Sequence, residues 1–100
     1  MKLLTKRHKT LLVKNHKEQQ IEDKERKIIV KLFYPASNAT WYLTELDPDT
    51  NIAYGLCILQ EKERGYVSLD ELANFKGQFG LGIERDKSFP INEHDMSEFE

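Results

Sequence analysis

Four carboxylates in this sequence have a spacing that could do chemistry. Glu45 and Asp47 stand at i, i+2, and so do Glu84 and Asp86. In an extended chain that spacing projects both side chains of a pair to one side. Two such pairs brought together would offer oxygen ligands to a hard cation such as Mg²⁺. With Lys87 nearby, the set outlines a small metal-dependent nuclease or hydrolase. The plainer reading is that these carboxylates are solvated or paired with a neighbour such as Arg85, because no known catalytic motif surrounds them.

Other reactive residue types offer less. His8 and His16 would lie about 12 Å apart on one helix, too far to share an ion, and His94 falls among acidic residues near the end. Cys57 is the only cysteine, so the chain holds no internal disulfide and no zinc site built on several thiolates. Ser68 lacks the Gly-x-Ser-x-Gly elbow of an activated serine. Gly77, Gly80 and Gly82 lack the Lys-Ser/Thr ending of a phosphate-binding loop. No catalytic residue and no cofactor is assigned from these patterns.

Binding is better supported. Residues 1–31 carry ten basic and four acidic side chains, a net of +6, and residues 32–100 carry five basic and thirteen acidic ones, a net of −8. A basic segment bearing Lys6, Arg7, Lys14 and Lys17 could neutralise phosphates, and Trp41, Tyr42, Tyr54 and Tyr66 could stack on bases, with Arg85 as a further cation. Against this, an overall pI near 5.9 is low for a dedicated nucleic-acid protein, and tryptophan and tyrosine are often simply core. The expected partner is therefore a protein or a nucleic acid. A homo-oligomer joined through an edge strand or through the basic helix is a further expectation.

These side chains must be positioned by a small set of elements. Thr5 is suited to cap a helix from about Lys6 to about Gln20. Leu11, Leu12 and Val13 are consecutive and fan around the axis, so this helix is expected to lean on the body loosely. Its Lys6, Arg7, Thr10, Lys14 and Lys17 share about a third of its circumference. Residues 18–27 are nearly all polar and extend the helix or form a connector. Residues 28–34, 40–46 and 52–59 read as strands, with the turn chemistry of Asp47-Pro48-Asp49-Thr50-Asn51 making the last two a hairpin. Ala53, Gly55 and Cys57 make one face of the third strand small, which implies close packing upon it. Residues 60–65 read as a charged loop and Tyr66-Val67 as a short extended piece. Ser68 and Glu71 form a capping box for a short helix, with Phe75 turned inward and Gly77 at its end. Residues 83–89 suit a last, edge strand.

The fold class expected is therefore α+β: an antiparallel sheet of about 4–5 strands, an N-terminal helix and a short second helix. Residues 1–27 form a basic helical arm and 28–90 a sheet body, together one domain over 1–90. Residues 91–100 form a mobile acidic tail. No apolar run is long enough for a signal peptide or a membrane span, so the expected setting is cytoplasmic, with no membrane contact.

The segments Met1-Lys2-Leu3-Leu4-Thr5-Lys6, Phe33-Tyr34-Pro35, Thr40-Trp41-Tyr42, Tyr54-Gly55-Leu56, Gly65-Tyr66-Val67-Ser68-Leu69 with Glu71-Leu72, and Gly82-Ile83-Glu84-Arg85-Asp86 occur in an order that resembles a family of short, uncharacterised bacterial proteins. Proteins of that kind are encoded on plasmids and other mobile elements, some beside DNA-processing or antirestriction domains. The likeness covers most of residues 1–90, and residues 14–27 depart from it in length and charge. The resemblance implies an accessory role and no particular reaction. Together with the residues, it favours a non-enzymatic binding module, the alternative being the metal-dependent hydrolase drawn from the carboxylate pairs.

Overall fold

In the computed structural model, which describes residues 3–100, the chain runs through α1 (Lys6–Gln19), β1 (Val30–Phe33), β2 (Thr40–Asp47), β3 (Ile52–Ile58), β4 (Lys62–Ser68), α2 (Leu69–Asn74) and β5 (Glu84–Arg85). Met1 and Lys2, the first residues of the basic segment, lie outside the described residues. The strands form one antiparallel sheet in the order β4-β3-β2-β1-β5. The α+β class, the two helices and the antiparallel sheet agree with the sequence reading.

The β2–β3 hairpin closes as its residues dictate. The Asp47 carboxylate accepts the Asp49 N–H at 2.9 Å, the Asn51 N–H donates to the Asp47 carbonyl at 2.8 Å, and Asn51 takes a φ of 59°. Asparagine tolerates that left-handed conformation better than most residues. In β2 the register shifts between Leu43 and Glu45, so Thr44 is the extra residue of a bulge. Thr44 is fully buried, and its hydroxyl donates to the Tyr54 carbonyl at 3.3 Å. Opposite the bulge, a Cβ on Gly55 would run into the Tyr42 carbonyl oxygen, so this position needs glycine for space.

The bulge sets which side chains share a face. Trp41, Leu43 and Leu46 of β2 join Val30 and Leu32 of β1 and Ala53 of β3 in one core, covered by Leu12 of α1 and by Leu69 and Leu72 of α2. The small face of β3 is thus packed against, as its composition implies. Tyr42 and Leu56 point to the opposite face and pack with Ile28 and Met96.

Several local expectations are corrected. The charged residues 62–64 and Gly65 belong to β4, a full edge strand, because polar side chains are no obstacle where one edge and much of the surface meet water. α2 ends at Asn74, and Phe75 turns outward against the edge of the Tyr34 ring instead of into the core. β5 is short, with Asp86 continuing its pairing by one bond to the Lys31 carbonyl. β1 begins only at Val30, because Ile28 exchanges backbone bonds with the final segment, donating to the His94 carbonyl and accepting from the Asn92 N–H.

The largest corrections concern the two ends. α1 does not lean loosely. β1 pairs with β2 only from Thr40 to Leu43, which leaves the later part of β2 with an open edge. The helix fills that opening: Leu12 is fully buried, Leu11 and Val13 pack on the core, and Asn15 donates its side-chain amide to the Thr44 carbonyl at 2.9 Å. In this setting a fan of apolar residues is useful, because contacts come from more than one side. The acidic tail, expected to be mobile, lies on the second face of the sheet. Met96 is 3% exposed, and the Phe99 ring stacks on Tyr42 with centroids 4.4 Å apart. Arg64 holds the last residue through the Glu100 carboxylate and reaches Glu25 as well. Three apolar groups, Phe89, Met96 and Phe99, outweigh the charge of their neighbours.

Truncating Met96→Ala should therefore cost roughly 2–4 kcal/mol, the usual range for a buried methionine, when measured by urea denaturation. A loss within ±0.5 kcal/mol, as for an exposed residue, would mean that the tail is not part of the packed structure.

Candidate functional site

Each expected site residue can be placed. Lys6, Arg7, Lys14 and Lys17 are exposed on α1. Trp41 and Tyr42 are buried, on opposite faces of the sheet, because consecutive strand residues alternate. Neither ring can stack on a base, which corrects that part of the reading. Arg85 donates to the Leu3 carbonyl at 2.9 Å and serves the join between β5 and the start of the chain.

Tyr54 and Tyr66 pair across β3 and β4 with ring centroids 5.0 Å apart, and Tyr66 remains 77% exposed. They border a cleft of about 290 Å³ together with His16, Gln19, Glu45 and Asp47. The bulge at Thr44 aims both carboxylates into it. Burial pushes the Glu45 carboxyl up, with His16 and Arg26 opposing and Asp23 adding to the rise. Asp47 is held below the usual carboxylate range, chiefly by the Asp49 N–H. His16 Nε2 is 4.0 Å from Asp47. Two tyrosines beside two carboxylates are a poor surface for phosphate.

The other carboxylate pair lies elsewhere. Asp86 bonds to Lys31, and Lys31 is opposite Tyr42, so Asp86 sits two strand spacings and three residues from Glu45. That separates their backbones by roughly 14 Å, whereas ligands of one hard cation must lie within ~5 Å of each other. Asp86 is instead held low by Ser88 and paired with Lys31 at 3.6 Å. Among the described residues, no group of three or more histidine, cysteine, aspartate or glutamate side chains is arranged to hold a metal. The two-pair ligand set is therefore corrected: its halves do not meet. Cys57 is half-buried, and burial pushes its thiol up, away from a reactive thiolate.

The feature that sequence reasoning missed is apolar. A groove of about 380 Å³ is lined by Tyr34, Trp41, Leu59, Val67, Leu72, Phe75 and Ile83. Leu59 on its rim is 59% exposed. The chain leaves the groove through Phe75, makes a loop pinned by the Lys76–Gly82 bridge and the Gly77 to Leu81 bond, and returns at Ile83. At the loop tip Phe79 is 95% exposed with a φ of 59°. Of six large hydrophobic side chains exposed among the described residues, Leu59, Phe75, Phe79 and Leu81 belong to this groove and its loop. The available signal was Gln78-Phe79-Gly80, an aromatic residue inside a glycine turn where polar residues are usual.

Fold and site together define a small α+β domain that carries an apolar groove, an acidic cleft and a basic helix face. The chain belongs to the family described as "Protein of unknown function (DUF2958)", whose model matches residues 3–100. A search of curated proteins and a search of solved structures found no match. Among the described residues, no helix is long and apolar enough to cross a membrane.

The Glu45 shift carries a testable sign. A carboxyl whose folded value is raised contributes stability that is fully present below its unfolded value, near 4.3, and lost as pH rises through the folded value. Glu45→Gln, which cannot ionise, should therefore be more stable than the parent chain at neutral pH and indistinguishable from it at a pH below about 4. Denaturation curves of both proteins at the two pH values check this. An equal difference at both would remove the burial effect.

Proposed function

We propose that this protein is a non-enzymatic binding module, an accessory factor of the mobile-element kind implied by its resemblance, and that it captures a protein partner through the groove beside α2. The partner offers an apolar segment, whose anchoring side chain enters the groove while Phe79 closes over it.

The observation that carries this reading is Phe79 itself. A non-glycine residue in the left-handed region costs roughly 1–2 kcal/mol, and an exposed ring recovers none of that by burial. Glycine or asparagine would serve the turn better. Neither folding nor solubility accounts for a phenylalanine here, whereas a contact made outside the chain does. The groove next to it has the character of a recognition pocket, apolar walls with few polar groups at the rim, among them Ser37 and Glu71.

The test uses peptides selected from a random display library on the immobilised protein. Selected peptides should share one or two large apolar anchors, and Phe79→Gly should weaken them by about tenfold or more, as loss of a central aromatic contact does. The same variant should leave the fold intact, with stability unchanged or raised by up to about 1 kcal/mol once the strained residue is gone. Selected peptides without apolar anchors, or peptides indifferent to Phe79→Gly, would defeat the proposal. A fall in stability of more than about 1 kcal/mol would instead give Phe79 a structural role.

A further inference from the structure

The outward face of α1 carries Lys6, Lys9, Lys14 and Lys17, all exposed, with Thr10, also exposed, between them. The four lie within 12 residues, about 16 Å of helix. None of them lies within ion-pair distance of a carboxylate among the described residues; the only acidic neighbour on this face, Glu18, is paired with Arg26 at 3.6 Å. Several of the chain's carboxylates are directed elsewhere: Glu45 and Asp47 line the tyrosine cleft, Asp86 meets Lys31, and Glu100 meets Arg64. The helix bearing the lysines is held firmly from its inner side. Leu12 is buried, Asn15 is bonded to β2, and the first turn is closed by a reciprocal cap in which Thr5 accepts the His8 N–H and the His8 ring accepts the Thr5 N–H.

We propose that this face docks on the phosphate backbone of double-stranded DNA. A row of unpaired cations about 16 Å long, presented on a rigid rod, complements a duplex that carries one negative charge per ~1.7 Å of axis. Double strand is favoured over single strand by what the face lacks. It presents no aromatic ring, Trp41 and Tyr42 are buried, and Tyr66 stands beside carboxylates, so there is no platform for unstacked bases. The contact is therefore backbone-only and indifferent to sequence. Because the whole chain carries a net charge of −2, attraction is confined to this face and is easily screened. This site is separate from the apolar groove and does not rest on it.

The experiment is fluorescence anisotropy with a short labelled duplex, followed across about 25 to 200 mM salt. The parent protein should bind at the lower salt, with a slope of log K against log salt near −3, corresponding to three or four neutralised phosphates. The variant Lys6→Gln/Lys9→Gln/Lys14→Gln/Lys17→Gln should lose about tenfold or more at low salt and most of that slope. Lys62→Gln/Lys76→Gln, which changes exposed lysines away from α1, should behave as the parent. Circular dichroism confirms the helix in each case, and the pair Lys14→Gln/Lys17→Gln supplies a milder variant with a graded loss. Phe79→Gly should leave DNA binding unchanged, so the two sites can fail separately. Absence of duplex binding at low salt overturns the proposal, as does a fourfold variant no weaker than the control. Binding to vesicles rich in phosphatidylserine without binding to the duplex also overturns it.

Discussion

Everything in this fold depends on β2 being buried on both faces. Its odd-numbered residues before the bulge, Trp41 and Leu43, enter the core under the helices, while Tyr42 enters a second core under the chain's last segment. A sheet with two apolar faces needs two covers, and a chain of 100 residues has little to spare for either. One face receives α1 and α2. The other receives only an irregular strap, Phe89 to Glu100, which covers it with three aromatic or thioether side chains and backbone bonds to Ile28. Acidic residues in that strap are tolerated because each faces outward, several toward a partner: Asp95 to Lys27, Glu98 to His94 and Glu100 to Arg64.

Much of this was legible in the residues, and what was not has physical reasons. The hairpin at Asp47–Asn51, the caps Thr5 and Ser68, and the strands rich in β-branched residues follow from local chemistry, and all are present. The tail was misread because net charge over ten residues hides two well-placed apolar side chains, Met96 and Phe99. Arg26 shows the same limit. In a polar run it reads as solvated, yet it is 8% exposed, donating to the Gln19 side chain and the Glu22 carbonyl and pairing with Glu18. A long side chain that finishes a turn after a helix leaves no periodic trace. The bulge at Thr44 is likewise invisible in sequence, although it decides that Leu46 faces the core and that Glu45 and Asp47 face the tyrosine cleft.

The candidate sites divide along the same line. Residue type alone grouped Trp41, Tyr42, Tyr54 and Tyr66 with the lysines of α1, and strand alternation then separated them into two cores and one acidic cleft. The lysines remained together because helical spacing was readable and all four side chains are exposed. The two carboxylate pairs were each correct as local geometry, since i, i+2 residues do share a side. They fail as one ligand set because β1 stands between their strands, a fact of strand order that no spacing rule contains.

The groove illustrates why interaction surfaces are harder to read than cores. Core positions announce themselves through periodicity, because the same stripe must be apolar along a whole element. Phe75, Phe79 and Leu81 belong to no stripe; they come from a loop after a six-residue helix, and Leu59 follows the last residue of β3. Their grouping arises only when the hairpin of β3 and β4 brings Leu59 and Val67 beside Tyr34 and α2. What marks them afterwards is thermodynamic inconsistency. The fold gains from every residue that covers β2, yet it gains nothing from a ring held in water on a strained backbone, or from four lysines with no ion-pair partner among the described residues. Residues that do not help the chain to fold, and that concentrate on two separate surfaces, are those on which the two proposed contacts rest.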